Sequence, residues 1–315
     1  MFKNRNIGIV LVKAFIIIAA WIYVGYKLYD YRDSLHSIQT ISFSSFQIFE
    51  LLAVLFLMFI NWSIEAKKWQ YAIQSIIKIS FKQAFKNIMT GATIAIISPN
   101  RAGEPIGRVS QIDPQFRESA TSASIYCSLG QFTSTLIGGC FAFPFFINKK
   151  LYFTNTLSAF GISIIGLLFI LILYLNISKI VYLFKKISFI KKYDSFISHF
   201  QSTSKKYLIT ILLFSLFRYS IFLIQFYLIL LVFDIDISFV NSSIAVGMIY
   251  FVTTLIPTTT LAELGVRCSS SVYFIGVYTN KPIVIITASM FLWFINVSLP
   301  AIIGSLIFIP KRKKN

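Results

Sequence analysis

The sequence predicts an all-α integral membrane protein with about six full transmembrane helices and two re-entrant hairpins of opposite orientation, an inverted-repeat architecture. Three observations predict it. Of 315 residues, 57% are hydrophobic and 13% charged, with a mean hydropathy of +0.76, outside the range of soluble domains. Apolar runs long enough to cross ~30 Å of hydrocarbon recur along the chain. Two proline-broken stretches interrupt those runs and share one grammar: a proline, then a glutamate, then an arginine four residues on.

The net charge of +18, from 29 Lys+Arg against 11 Asp+Glu, is spread between the apolar runs and forms no separate basic domain. That distribution fits cytoplasmic loops facing lipid headgroups and argues against nucleic acid as a partner. Cys127, Cys140 and Cys268 lie in or beside apolar stretches without paired spacing, so neither disulfides nor a metal is implied.

Full spans are expected at 7–29, 46–66, 119–147, 151–175, 207–232 and 283–309. The first follows Lys3 and Arg5 and reads as an uncleaved span, because its apolar run is long and no small-residue cleavage site follows. Glu65, with Lys67 and Lys68, reads as the interfacial end of the second span. Two segments are broken into arms by their motifs: 84–98 with 105–118, and 237–256 with 268–280.

Lysine and arginine set the orientation. Lys3, Arg5, the seven lysines of the loop 176–206 and the basic tail from Lys311 place both termini and that loop in the cytoplasm. Parity then requires 84–118 to start and end inside, and 237–280 to start and end outside. The chain is thus expected to be a single membrane domain over 1–315, with related halves at 46–147 and 207–309 on either side of the basic loop 176–206.

The motifs carry the chemistry. A charge at the bilayer centre costs ~2.5–3.5 kcal/mol if lipid-exposed, so Arg101, Glu104, Arg108, Arg218, Glu263 and Arg267 should face the protein interior or a wet cavity. Pro99, Gly103, Pro105 and Gly107 break the helix there, and Pro105 suits the first turn of a new one, whose N-terminus attracts anions. Arginine at all four positions favours bidentate recognition of phosphate or carboxylate. Asn100, Arg101, Glu104, Arg108, Arg218, Thr259, Glu263 and Arg267 are the expected binding residues, and the two stretches are expected to form one site. A plainer reading stands beside it, in which Glu104 with Arg108 and Glu263 with Arg267 are ion pairs that let helices carry buried charge. The small residues Gly138 and Gly139 read as helix packing.

Pro99-Asn-Arg-Ala-Gly-Glu104 with Gly107-Arg108, together with Ile256-Pro257, Glu263, Gly265 and Arg267, resembles the lysylphosphatidylglycerol synthase transmembrane region family of flippase-like membrane proteins. The resemblance implies paired re-entrant segments and translocation of phospholipids or polyprenyl-linked lipids in a cytoplasmic membrane. In two-part members a soluble aminoacyltransferase domain follows the membrane part, and no such domain is expected within this chain. The expected function is therefore flippase-like transport of a lipid whose anionic phosphate headgroup is bound and moved between leaflets. No catalytic motif is present and no cofactor is expected. The alternatives are a membrane-embedded transferase or hydrolase acting on lipid phosphates, and an accessory membrane subunit.

Overall fold

A computed structural model of the chain describes residues 44–98, 103–151, 156–184, 203–256 and 260–308, with Ile22, Tyr26 and Tyr29 besides. All regular structure among them is helical. The first expected span, 7–29, otherwise lies outside the described residues, as do His36, His199 and most of the loop 176–206.

Two long helices form the centre, α1 (Ser45–Ile73) and α7 (Lys205–Val232). They run antiparallel from end to end. Gln47 Nε2 donates to Asp234 Oδ1 at 2.9 Å, Gln225 Nε2 to the Val54 carbonyl at 3.0 Å, and Tyr207 Oη to the Ala72 carbonyl at 3.1 Å. Between them run α2 (Phe81–Ile97), the short α3 (Gly103–Val109), α4 (Arg117–Leu151), α5 (Thr156–Leu175) and α6 (Ile177–Phe184). After α7 come α8 (Phe239–Leu255), α9 (Thr260–Ile275), α10 (Pro282–Trp293), a π turn at Phe294–Ser298, and α11 (Leu299–Phe308).

The starts of four helices use one device. Ser44, Ser80, Ser204 and Ser238 precede α1, α2, α7 and α8, and each hydroxyl accepts the backbone N–H three residues on. That satisfies one of the donors a helix start leaves unpaired. The helices so begun match in length: 29 and 28 residues for α1 and α7, 17 each for α2 and α8.

Two contacts join helices far apart in the chain. Helix α2 packs on α11, and α8 packs on α4. The first contact is close because Gly304 lies against the Met89 carbonyl and Thr93 Oγ1 donates to the Ala301 carbonyl at 2.9 Å. The second is close because Gly139 sits against the Phe251 ring and Gly247 against Ala142, while Gly138 packs on the Tyr219 ring of α7, the packing role expected of Gly138 and Gly139.

Five described helical segments are long and apolar enough to cross a membrane: Ser45–Ile73, Pro114–Lys149, Leu157–Leu175, Lys205–Val232 and Pro282–Ile307. They coincide with the five expected spans that fall among the described residues. Helix α5 carries exposed Leu157, Ile162, Ile165, Leu168, Phe169 and Ile172, an apolar face suited to hydrocarbon and costly in water.

The arms differ from expectation in two ways. The segment 105–118 is not one arm, because α3 ends at Val109 and a turn leads to a 3₁₀ helix at Pro114–Phe116. Asp113, just before Pro114, takes a non-helical backbone and separates that turn from the 3₁₀ helix. At the second motif the helix resumes at Thr260, so Glu263 and Arg267 lie inside α9 rather than in the break. The loop 176–206 also begins as a helix, α6.

Candidate functional site

Helices α2 and α3 form an antiparallel hairpin. Gly107 lies so close to α2 that an added Cβ would come within 2.7 Å of Gly91 Cα and 2.8 Å of the Thr90 carbonyl oxygen. At the turn, Gly103 N–H donates to Ser98 Oγ at 2.9 Å. This approach presses Arg108, one residue beyond Gly107, towards the α1, α4 and α7 bundle.

There Arg108 meets a residue that the sequence reading placed elsewhere. Glu65 is 1% exposed and Lys68 is 0% exposed, so both point into the protein, and of the three only Lys67 reaches the surface. The reason is the length of α1. It continues to Ile73, beyond the apolar run, and its Asn61, Glu65, Lys68 and Ala72 fall on one buried stripe facing α4 and α7.

Glu65 is the hub of the resulting network. Its Oε1 accepts from Arg108 Nη2 at 2.7 Å, its Oε2 accepts from Lys68 Nζ at 2.7 Å, and the same Oε2 accepts from Arg218 Nη1. Arg108 also pairs with Glu104 one turn back on α3. Arg218 donates Nε to Asn61 Oδ1 at 2.7 Å and Nη1 to Gln131 Oε1 at 3.2 Å, and its guanidinium lies between Trp62 and Phe222, 5.8 and 5.5 Å from their ring centres. Lys68 Nζ also reaches the Cys127 carbonyl and Ser215 Oγ, both at 3.3 Å.

Three cations, Lys68, Arg108 and Arg218, thus face two carboxylates, Glu65 and Glu104, an excess of one formal positive charge. Arg108 and Arg218 are 2% and 7% exposed. Arg108 Nε and Nη1 are buried and have no hydrogen-bond partner among the described residues. Buried guanidinium N–H groups are costly to leave unpaired, so this face of the network is chemically suited to an anion.

The second motif forms its own pair, with Arg267 Nη2 donating to Glu263 Oε1 at 2.8 Å. Both E-x-x-x-R motifs are therefore i,i+4 ion pairs, as the plainer reading had it. Two rings lie between Arg218 and Arg267. Phe222, under Arg218, lies 5.9 Å from Tyr250, and Arg267 sits 5.4 Å from the centre of the Tyr250 ring. Of the expected binding residues, the structure brings Glu104, Arg108 and Arg218 into one cluster and sets Glu263 and Arg267 across the rings from it. Asn100, Arg101 and Thr259 lie outside the described residues.

A family model described as the lysylphosphatidylglycerol synthase TM region matches residues 7–304. The chain belongs to that family. No curated protein and no solved structure matches it. Membership makes this chain a multi-pass membrane protein of a family involved in lipid handling, and the match spans α1 to α10 and the first part of α11.

Sequence reasoning missed Asn61, Glu65, Lys68 and Gln131 in this family member. The signal for three of them was available: Asn61, Glu65 and Lys68 recur at i, i+4 and i+7, one polar stripe on an otherwise apolar helix.

Proposed function

We propose that this protein binds the phosphate of an anionic lipid headgroup at the Glu65-centred network and carries it between the leaflets. The observation that carries the reading is the buried network itself, with more cations than carboxylates and with Arg108 N–H groups left for an acceptor. A phosphate bound there would satisfy the orphan donors and cancel the excess charge.

Orientation follows from charge. The end of the bundle formed by the α1 C-terminus and the α7 N-terminus carries Lys67, Lys78, Lys82, Lys205 and Lys206, and belongs in the cytoplasm of a cell membrane. In this reading α2–α3 enters the bilayer from that side and α8–α9 from the other. The matched helix lengths, the shared serine caps and the reciprocal packing of α2 on α11 and α8 on α4 support an inverted repeat. The two ion pairs then act as successive stations for one headgroup, with Phe222 and Tyr250 between them.

A leaflet-resolved assay in proteoliposomes tests this. Fluorescent phosphatidic acid and phosphatidylglycerol should exchange between leaflets faster with wild-type protein than in protein-free vesicles, and Arg108→Gln and Arg218→Gln should remove most of the difference. Equal exchange by wild type and both variants would refute the role given to the network.

A further inference from the structure

Helix α1 buries a second carboxylate, Glu50, at the end away from the Glu65 network. Gln47, Glu50 and Val54 share the α1 face that looks onto α7, since Gln47 Nε2 donates to Asp234 Oδ1 at 2.9 Å and Gln225 Nε2 to the Val54 carbonyl at 3.0 Å. Glu50, between those two contacts, is 5% exposed, and its carboxylate makes no hydrogen bond or ion pair among the described residues. A buried carboxylate is costly unless a cation or donors meet it. Here it meets a cavity.

The cavity, about 330 Å³, lies where the N-terminal end of α1 meets the C-terminal end of α7. Of its eight lining residues three are acidic, Glu50 at depth with exposed Asp234 and Asp236 at the mouth, and none is basic. Lys281 comes near, but its Nζ donates to the Asp234 main-chain carbonyl at 2.8 Å. Phe46, Leu231 and Ile235 add apolar wall.

Each feature narrows the ligand. The carboxylates call for a cation and would repel an anion. No three acidic, histidine or cysteine side chains among the described residues converge as the ligands of a metal ion do, while the volume lies at the small end of small-molecule pockets. An aminophospholipid headgroup would bring its phosphate beside these carboxylates, with no lining arginine or lysine to receive it. A linear amine meets none of these conflicts. Its ammonium ends suit carboxylates at separate positions, and its methylenes suit Phe46, Leu231 and Ile235.

We infer that this cavity binds a small linear polyamine, with one ammonium on buried Glu50 and another at the Asp234 and Asp236 mouth. The site is separate from the Glu65 network and does not depend on the headgroup reading. When occupied, it joins the ends of α1 and α7 through charge as well as through Gln47.

Isothermal titration calorimetry on the full chain tests this, with putrescine as the probe and nanodiscs of phosphatidylcholine, whose lipids carry no net charge to hold it. Wild type should bind putrescine saturably, and ethylamine, with one ammonium, about tenfold or more weakly. Glu50→Gln should lower putrescine affinity about tenfold or more, and Asp236→Asn, at the exposed mouth, about two- to fivefold. Glu50→Gln removes an unpaired buried charge, so its melting temperature without putrescine should be no lower than that of wild type; should it fail to fold, Asp236→Asn decides. No saturable binding by wild type, or unchanged affinity in the folded variants, overturns the proposal. So does displacement of putrescine by calcium or magnesium chloride at matched ionic strength, which would assign the cavity to a metal, or by phosphatidylethanolamine in the disc, which would assign it to a lipid headgroup.

Discussion

Glu65 and Arg108 are 43 positions apart and on different helices, yet Arg108 Nη2 donates to Glu65 Oε1 at 2.7 Å in a site where both side chains are almost fully buried. One carboxylate thereby ties the α2–α3 hairpin to α1 and, through Arg218, to α7. The bond joins the motif that looked functional in the sequence to a residue that did not.

Glu65→Gln should be the most damaging single carboxylate change. It leaves Lys68, Arg108 and Arg218 without their shared counter-charge, and breaking a buried pair costs about 3–5 kcal/mol. Glu104 and Glu263 keep 18% and 16% of their side chains exposed, so Glu104→Gln and Glu263→Gln should cost under about half as much. Thermal unfolding in detergent ranks the three, and equal melting temperatures would remove Glu65 from the centre of the network.

Arg218→Lys preserves charge and removes the fork. Arginine uses Nε on Asn61 and Nη1 on Glu65 and Gln131, with Trp62 and Phe222 beside its plane. Lysine reproduces neither the fork nor the stacking. Affinity for phosphatidic acid should drop about tenfold or more; an unchanged affinity would mean that charge alone matters at this position.

Gly107→Ala should loosen the hairpin that places Arg108, because its Cβ would meet backbone atoms of Thr90 and Gly91 that cannot yield. Overpacking of this kind costs about 1–3 kcal/mol. Gly161, in the lipid-facing α5, has nothing within 4 Å of an added Cβ, so Gly161→Ala should be neutral or slightly stabilising. Melting temperatures of the two variants check the contrast, and two similar values would contradict the close approach.

Orientation is open to labelling. In a background without Cys127, Cys140 and Cys268, an impermeant maleimide applied to intact cells should modify Asp236→Cys and Asn280→Cys. Ser75→Cys and Ser204→Cys, exposed at the opposite end, should react only after the membrane is opened. The reverse pattern would invert the assigned topology.

The membrane character, the described spans and the two ion pairs were legible in the sequence because each depends on local properties. Span length follows from apolar runs, and an i,i+4 pair needs only that its own segment be helical. The ends of α2 at Ile97 and of α8 at Leu255 were equally plain, though the helices resume sooner than expected, at Gly103 and Thr260. What the tertiary structure alone decided was which charges share a cluster. Glu65 looked like the polar end of a span because the two arginines that hold it lie 43 and 153 positions away. Folding alone sets Phe222 and Tyr250 between Arg218 and Arg267. Helical periodicity fixes which face of a helix a residue occupies, but only the packing of α1, α3, α4 and α7 determines what that face meets.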